Sequence, residues 1–218
     1  VWDFRREPLR CVDDHRLFRG FEGPRVVPGT YRARLTRGGE QVDVEFEVLP
    51  DPRQDDPAQS GKKAFAELRT YLDRTVELFD AAAWSVDAVR AVRSQIQDRL
   101  SRLGSADGDA VEALRALGTE LEASIDSLES KIVQPRHETY DDDINWPNMF
   151  DVQVGHLISA IDDAGPPVTA GAKERLADLE ARWRELEQER DAILEDGVER
   201  FETALARAGA SGLIVPAE

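Results

Sequence analysis

The pattern of apolar and polar residues changes at Pro50-Asp51-Pro52. Before this point apolar residues alternate with polar ones, which is typical of a β-strand with one buried face. After it they recur every three or four residues, which is typical of a helix that buries one stripe against other helices. The sequence therefore predicts a mainly α protein, an antiparallel bundle of long helices preceded by a small antiparallel β piece. The predicted division is a partial β-sandwich-like segment at 1–52 and a helical bundle at 53–218.

The β piece is predicted to hold two or three strands. Residues 1–5 form one candidate strand, and residues 6–27, rich in Arg, Asp, Gly and Pro, are predicted to be a long loop. Pro28-Gly29 fits a type II turn, and Gly38-Gly39 fits the tight turn of a hairpin. The predicted inward side chains of that hairpin are Tyr31, Ala33, Leu35, Val42, Val44, Phe46 and Val48. Because so few strands make a weak sheet, we expect it either to continue in strands before Val1 or to lean on the bundle.

The helical part is predicted from apolar seams with alternating spacings of three and four. The first seam places a helix at 57–103, and a second helix ends near residue 134. A short third helix begins at Phe150, and the last one runs from the N-cap Thr169 to Gly209. Helices two and three laid end to end match the long helices in length. The bundle is therefore predicted to have two long helices and a broken middle one, or four helices by a looser count.

Four bulky side chains on the helices call for separate interpretation. Trp183 lies on its seam and is predicted to be core, whereas Trp84 lies off its seam and is predicted to make an exposed contact or a second packing surface. Arg93 and Arg190 occupy seam positions. They are expected either to face each other's acidic neighbours in a buried polar layer or to extend their guanidinium groups at a bundle edge.

Charge and cysteine content exclude several classes of partner and site. The chain has 28 basic and 44 acidic residues, a formal charge of −16, so a phosphate backbone or an anionic membrane surface would repel it. No apolar run approaches the roughly 20 residues that span a bilayer, so no membrane insertion is predicted. Cys11 is the single cysteine, which excludes an intrachain disulfide and a thiolate metal site. The start at Val1, inside a candidate strand, indicates a fragment or a processed chain.

An acidic, Trp-containing break at residues 136–148 interrupts the helical pattern. Its Asp141, Asp143 and Asn145 fall at the first, third and fifth positions of a calcium-type loop, but Trp146 stands where that loop needs Gly. The sequence therefore favours a solvated acidic turn, with Asn145 or Asp143 bonded to local backbone groups. If the chain has an interaction site of its own, its predicted residues are Trp84, Asp141, Asp143, Asn145 and Trp146.

Catalytic motifs do not emerge from the remaining residues. The three histidines His15, His137 and His156 are scattered without metal-ligand spacing, and no Gly-x-Ser-x-Gly is present. Ser60-Gly61-Lys62-Lys63 lacks the other glycine and the hydroxyl residue of a phosphate loop. No catalytic residue, metal ligand or cofactor is therefore predicted, and the chain is predicted not to be an enzyme.

Several sequence stretches together resemble a known family. The stretches are Val1-Trp2-Asp3-Phe4-Arg5, residues 23–35, Leu49-Pro50-Asp51-Pro52-Arg53, residues 143–148 and Gly165-Pro166-Pro167-Val168-Thr169. They are similar to the C-terminal region of large sortilin-like β-propeller proteins, which carry bacterial neuraminidase repeats and are often labelled glycosyl-hydrolase-like. The resemblance implies the end of an immunoglobulin-like or fibronectin-like sandwich after a propeller, with the bundle as an appendage. It also implies a secreted, periplasmic or surface-exposed setting, and it carries over no catalytic residue.

Three functional hypotheses are compatible with these residues. The first is a non-enzymatic accessory region that packs, spaces or oligomerises a larger extracytoplasmic propeller protein through helix faces; its partner is the upstream propeller, another protein or a second copy. The second is a carbohydrate- or peptide-binding module that uses the 136–148 loop. The third is a glycoside-hydrolase-associated activity, which would require a concave pocket with a perturbed carboxylate.

Overall fold

The computed structural model describes residues 1–53, 60–139 and 141–209, and the Asp143 side chain lies outside this description. The structure is mainly helical, with a two-stranded antiparallel sheet before the helices, as the apolar periodicity predicts. Strand β1 spans Gly29–Arg37 and strand β2 spans Glu40–Val48. The predicted start of the first long helix, at residue 57, falls outside the described residues.

The helices follow in the order that the seams predict. Helix α1 is Lys62–Arg102, α2 is Asp109–Ile132, the single-turn α3 is Asp142–Asn145, α4 is Phe150–Ala164 and α5 is Ala170–Ala192. A π-helical segment, Ile193–Gly197, then leads without a break into α6, Val198–Arg207. The predicted N-cap is confirmed, because the Thr169 hydroxyl accepts a hydrogen bond from the Ala172 amide (3.2 Å). The π-helical segment was not anticipated.

The helices form an antiparallel bundle with a broken middle helix. Helix α1 packs on α2 along one half of its length and on α4 along the other, and the continuous α5–α6 rod packs on all three. Seam residues form one hydrophobic core, in which Phe79, Ile96, Ile125, Ile158 and Phe201 are fully buried. Trp183 is buried as predicted, stacked 5.4 Å from Phe150 between ring centroids. No helix among the described residues is long and apolar enough to cross a membrane.

The two seam arginines lie in polar sites inside the bundle, and each has acidic partners. Arg93 and Arg90 of α1 both bind the buried Glu129 carboxylate of α2, at 2.8 and 2.6 Å. Arg190, itself buried, binds Asp191 of its own helix at 2.7 Å. The alternative in which these guanidinium groups extend to solvent at a bundle edge is therefore wrong for Arg190.

The predicted first strand is wrong. Residues 1–5 form no strand, because Phe4 adopts a φ of 62° and only an isolated bridge joins Arg5 to Arg25. A positive φ turns the chain out of the extended conformation that a strand requires. The predicted type II turn at Pro28-Gly29 is also absent, since Gly29 lacks the positive φ of that turn and pairs with Val48 as the first residue of β1.

Residues 4–26 form a closed loop that inserts into the bundle, and we call it the N-terminal loop. Its two arms run side by side, with the Arg6 amide donating to the Pro24 carbonyl (2.9 Å) and the Val26 amide to the Phe4 carbonyl (2.8 Å). Three apolar side chains of the loop belong to the helical core: Leu9, Val12 and Leu17. The predicted division at residue 52 stays a prediction, but these contacts make the N-terminal loop part of the bundle core.

Ion pairs hold the outside of the N-terminal loop to the helices. Arg10 binds Asp87 of α1 through its guanidinium (2.8 Å), and its amide donates to Asp80 (2.9 Å). Burial, which exceeds the opposing effect of the Arg10 amide, raises the pKa of Asp80 above its ordinary value. Arg25, which precedes the hairpin, binds Asp162 near the end of α4 through its amide (3.0 Å) and its guanidinium (3.2 Å). The base of the hairpin is thereby fixed to the bundle.

Candidate interaction surface

The hairpin presents two chemically different faces. Its register places Arg32 opposite Glu45 and Arg34 opposite Asp43 on one face, and both pairs are ion-paired, at 3.1 and 2.9 Å. The other face carries directly opposed apolar pairs: Tyr31 with Phe46, Ala33 with Val44 and Leu35 with Val42. The turn between the strands contains Gly38 and Gly39 with φ of 56° and 88°, which confirms the predicted hairpin.

The apolar face is covered only near its base. Trp2 lies on it, with its ring centroid 5.8 Å from Tyr31 and 5.9 Å from Phe46. Beyond Trp2 the side chains are open, and Leu35, Val42 and Val44 are 70%, 60% and 58% exposed. We call Ala33, Leu35, Val42 and Val44 the open face.

Among the described residues, the sheet approaches the bundle at its base, where Arg25 binds Asp162, and not along the length of its strands. Within the described part of the chain, neither strand makes close backbone contact with a helix. The prediction that the alternating apolar residues point inward is therefore wrong for the open face, although Tyr31, Phe46 and Val48 are partly buried. The alternation correctly identified one apolar face, but it could not show whether that face meets another layer.

The acidic break forms a local turn organised by Asp142. Its carboxylate accepts hydrogen bonds from the amides of Thr139 (2.7 Å) and Glu138 (3.0 Å). The Thr139 amide contributes most to holding the pKa of Asp142 below its ordinary value. A turn bonded to local backbone groups is thus present, but the residue that bonds them is Asp142 and not Asn145, whose amide donates to Asp142 (3.4 Å).

The predicted interaction residues are not brought together into a single surface. Trp146 is 37% exposed, with the Arg136 guanidinium 4.5 Å from its ring centroid, and Asp141 and Asn145 are exposed nearby. The Asp143 side chain lies outside the description. Carbohydrate or peptide binding by this loop stays a prediction, and Arg136 already covers one face of the Trp146 ring.

Trp84, for which the sequence left open an exposed contact or a second packing surface, lies on α1. It is half-buried against the core, and the Arg190 guanidinium of α5 lies 5.3 Å from its ring centroid. Arg190 also donates to the hydroxyl of Ser85, the next residue along α1 (3.3 Å). These contacts join α1 to α5.

A cleft of about 680 Å³ lies between α2 and the end of the last helical rod. Two of its acidic residues are paired with basic ones, Glu120 with Arg200 at 3.1 Å and Glu189 with Lys131 at 2.5 Å. These pairs hold α2 to the rod. No group of three or more His, Cys, Asp or Glu side chains among the described residues is arranged to hold a metal ion.

Sequence reasoning missed the polar residues that the N-terminal loop brings into the core. His15 of the loop lies beside Asp151 of α4, and both are buried. These residues are 136 positions apart, so no local spacing could reveal the pair. The apolar residues Leu9, Val12 and Leu17 within the predicted loop were the available signal that this segment is buried.

No protein-family model, no curated protein and no solved structure matches this chain. The resemblance to the C-terminal region of sortilin-like propeller proteins therefore stays a prediction, carried by the short motifs alone.

Proposed function

We propose that this chain is a non-enzymatic accessory region that packs against a neighbouring β-sheet through the open face of its hairpin. The observation that carries this proposal is the exposure of Leu35, Val42 and Val44 on one face of a hairpin of two nine-residue strands. The sequence analysis favoured helix faces as the interaction surface, but the apolar seams of the helices are buried in the core of the bundle.

A second β-sheet packed on the open face would stabilise the hairpin. A two-stranded sheet is marginal on its own, and each exposed apolar side chain forgoes the free energy that burial would give, about 25 cal/mol per Å². An antiparallel sheet with one charged and one apolar face is typical of one layer of a sandwich. The Arg32–Glu45 and Arg34–Asp43 pairs suit the solvent side of such a layer.

The proposed occupant of the open face is a β-sheet of the propeller-containing polypeptide upstream of Val1. Trp2 lies on the same face as the open residues, in contact with Tyr31 and Phe46. A polypeptide continuing before Val1 would therefore emerge beside that face. The resemblance to sortilin-like proteins supports the same arrangement, because it implies the end of a sandwich behind a propeller, and it supports an extracytoplasmic setting.

Hydrogen exchange on the product of the complete gene tests this proposal. We expect amides of residues 31–46 to exchange at least tenfold more slowly in that product than in the 218-residue chain, because a packed layer suppresses opening of the hairpin. Val44→Lys places a charge on the open face and should abolish the extra protection. Thr36→Lys places the same charge on the opposite face of β1 and should leave it intact.

Two results would overturn the proposal. One is equal protection of the hairpin in the two polypeptides, and the other is an equal effect of the two lysine substitutions. Light scattering of the 218-residue chain distinguishes an upstream sheet from a second copy of the chain as the partner of the open face. A concentration-dependent dimer that Val44→Lys dissociates would identify the second copy.

A further inference from the structure

The outer edge of β1 carries backbone groups aligned for another strand. The hairpin is a two-stranded sheet, and its turn makes Arg37 and Glu40 the first directly opposed pair. Hydrogen-bonded positions alternate in such a hairpin, so the odd-numbered residues of β1 bond to β2 and the even-numbered ones point their amides and carbonyls away from it. We call the outward backbone groups of four residues the β1 edge: Thr30, Arg32, Arg34 and Thr36.

The β1 edge is open in the part of the chain that the structure describes. Outside the hairpin, no described backbone hydrogen bond reaches these residues, and their side chains are exposed. The Trp2 ring does not cover the edge, because it lies on the apolar face of the hairpin against Tyr31 and Phe46. A row of unbonded amides and carbonyls on a strand is a template for the addition of a further strand.

The side chains of β1 define the chemistry of the strand that fits. Arg32 and Arg34 lie on one face of β1, and Tyr31, Ala33 and Leu35 lie on the other. A strand paired with β1 places its alternate residues on the same two faces, opposite these side chains. The complementary strand therefore has acidic residues on the arginine face and apolar residues on the other.

The pairing of β1 with β2 shows that this pattern fits. Glu45 binds Arg32 at 3.1 Å and Asp43 binds Arg34 at 2.9 Å, while the alternate residues of β2 oppose the apolar residues of β1. Exposed ion pairs of this kind add little to stability. Their main effect is on specificity, because they favour strands of the complementary charge and disfavour others.

A second copy of the chain fits the β1 edge poorly. A two-fold dimer through this edge would set the arginines of one copy against those of the other, and like charges opposite each other across strands are destabilising. Pairing of the β1 edge with β2 of another copy avoids that repulsion. It is, however, a head-to-tail contact between chains that each carry a formal charge of −16.

We infer that the β1 edge is a binding site for an extended segment of another polypeptide in which acidic and apolar residues alternate. The segment adds to the hairpin as a third strand. Its backbone bonds to the even-numbered residues of β1, and its acidic side chains lie beside Arg32 and Arg34. Because the pairing runs along the edge of the sheet, it does not depend on the packing proposed for the open face.

Residue-resolved hydrogen exchange of the 218-residue chain, with and without a synthetic peptide of the sequence Glu40–Val48, tests the site. The peptide is the probe because its acidic and apolar residues alternate. The amides of Arg32 and Arg34 should be unprotected in the chain alone and should exchange at least tenfold more slowly with saturating peptide. The same peptide with lysine in place of its acidic residues should leave their exchange unchanged.

The same amides separate this site from the open face. Packing on the open face slows the opening of the hairpin and so protects the odd-numbered amides of β1 that are bonded to β2. Strand addition supplies new acceptors to the even-numbered amides. Either result can therefore fail without the other.

Arg34→Pro and Arg34→Val form a matched pair of variants. Both remove the charge of Arg34, but only proline removes the outward amide, and proline is tolerated on edge strands. Arg34→Pro should weaken peptide binding at least tenfold relative to Arg34→Val. Protection of the α1 amides and of the odd-numbered β1 amides checks that the fold is retained. If Arg34→Pro does not fold, the comparison of the acidic and lysine peptides decides.

The inference is wrong if the amides of Arg32 and Arg34 are protected in the dilute chain alone, or if the acidic peptide does not slow their exchange. Equal binding of the two peptides, or of the peptide to the two folded variants, also overturns it. Protection that appears in the chain alone as its concentration rises would assign the edge to β2 of a second copy and overturn the assignment to another polypeptide.

Discussion

Leu35 and Val42 stand directly opposite each other across the hairpin, and both side chains remain more than half exposed. Leu17, in contrast, comes from a segment without any strand or helix pattern and is fully buried among the helices. A regular strand pattern therefore does not guarantee burial in this chain, and the lack of a regular pattern does not imply exposure. Comparing Leu17 with Leu35 gives the first test.

Leu17→Ala should destabilise the protein far more than Leu35→Ala. Removing the buried side chain leaves a cavity and should lower the free energy of unfolding by about 2–4 kcal/mol, whereas the exposed one should cost less than about 0.5 kcal/mol. Urea denaturation of both variants measures the difference. Similar losses would mean that the N-terminal loop is not part of the core.

Gly23→Ala should disrupt the N-terminal loop. A Cβ at this position would overlap the carbonyl oxygen of Glu7 and lie 2.7 Å from that of Arg6, and backbone atoms cannot move aside as side-chain ends do. We expect a fall in melting temperature and faster exchange of the loop amides. Gly171→Ala, in the first turn of α5 with nothing within 4 Å of the new methyl, is the control and should be neutral or slightly stabilising. Equal behaviour of the two variants would contradict the packing of the loop arms.

Glu129→Gln should cost about 2–4 kcal/mol in the free energy of unfolding. The buried carboxylate of Glu129 is shared by Arg90 and Arg93, and removing its charge leaves both guanidinium groups undercompensated. Asp126→Asn removes a second, exposed partner of Arg93, 2.6 Å away, and should change the free energy by less than about 0.5 kcal/mol. Chemical denaturation of the two variants decides, and a larger effect at Asp126 would contradict the structure.

The turn organised by Asp142 should loosen only in strong acid. Because amide donors hold the pKa of Asp142 below its ordinary value, the turn is stabilised above about pH 3.9 and loses that stabilisation as pH falls through the lowered pKa. The amide proton shifts of Glu138 and Thr139 should report a midpoint below the ordinary value. Asp142→Asn should abolish this titration.

Asp141→Asn is the matched control for the same experiment. Asp141 contributes its main-chain carbonyl, which accepts from the Ile144 amide (3.2 Å). The midpoint at Glu138 and Thr139 should therefore be unchanged. A midpoint at or above the ordinary aspartate value would show that Asp142 does not organise the turn.

Much of the helical architecture was predictable because helix seams are local patterns. The spacing that starts at Phe65 and the one that ends at Leu205 each specify a stripe, and a stripe of that width is stable only when another helix covers it. The capping role of Thr169 follows from the same local chemistry, since its hydroxyl needs only the amide three residues away.

The candidate surface was predictable only in part. The alternation in β1 and β2 identified which side chains share a face, and the register then placed Leu35 opposite Val42. Whether that face is buried depends on the presence of another layer packed against it, which local alternation does not show. The sequence analysis therefore predicted these side chains to point inward without knowing of such a layer. The pairing of His15 with Asp151 was not predictable, because the two residues meet only after the N-terminal loop has folded onto α4.

The sequence by itself determined the helices, the hairpin and the faces on which their apolar side chains lie, because periodicity and turn chemistry act within a few residues. The tertiary structure decided that residues 4–26 enter the bundle, that the outer half of the hairpin stays open, and that His15 meets Asp151 in the core. These are contacts between segments far apart in the chain. Their free energy comes from burial and charge pairing, which exist only once the segments have met.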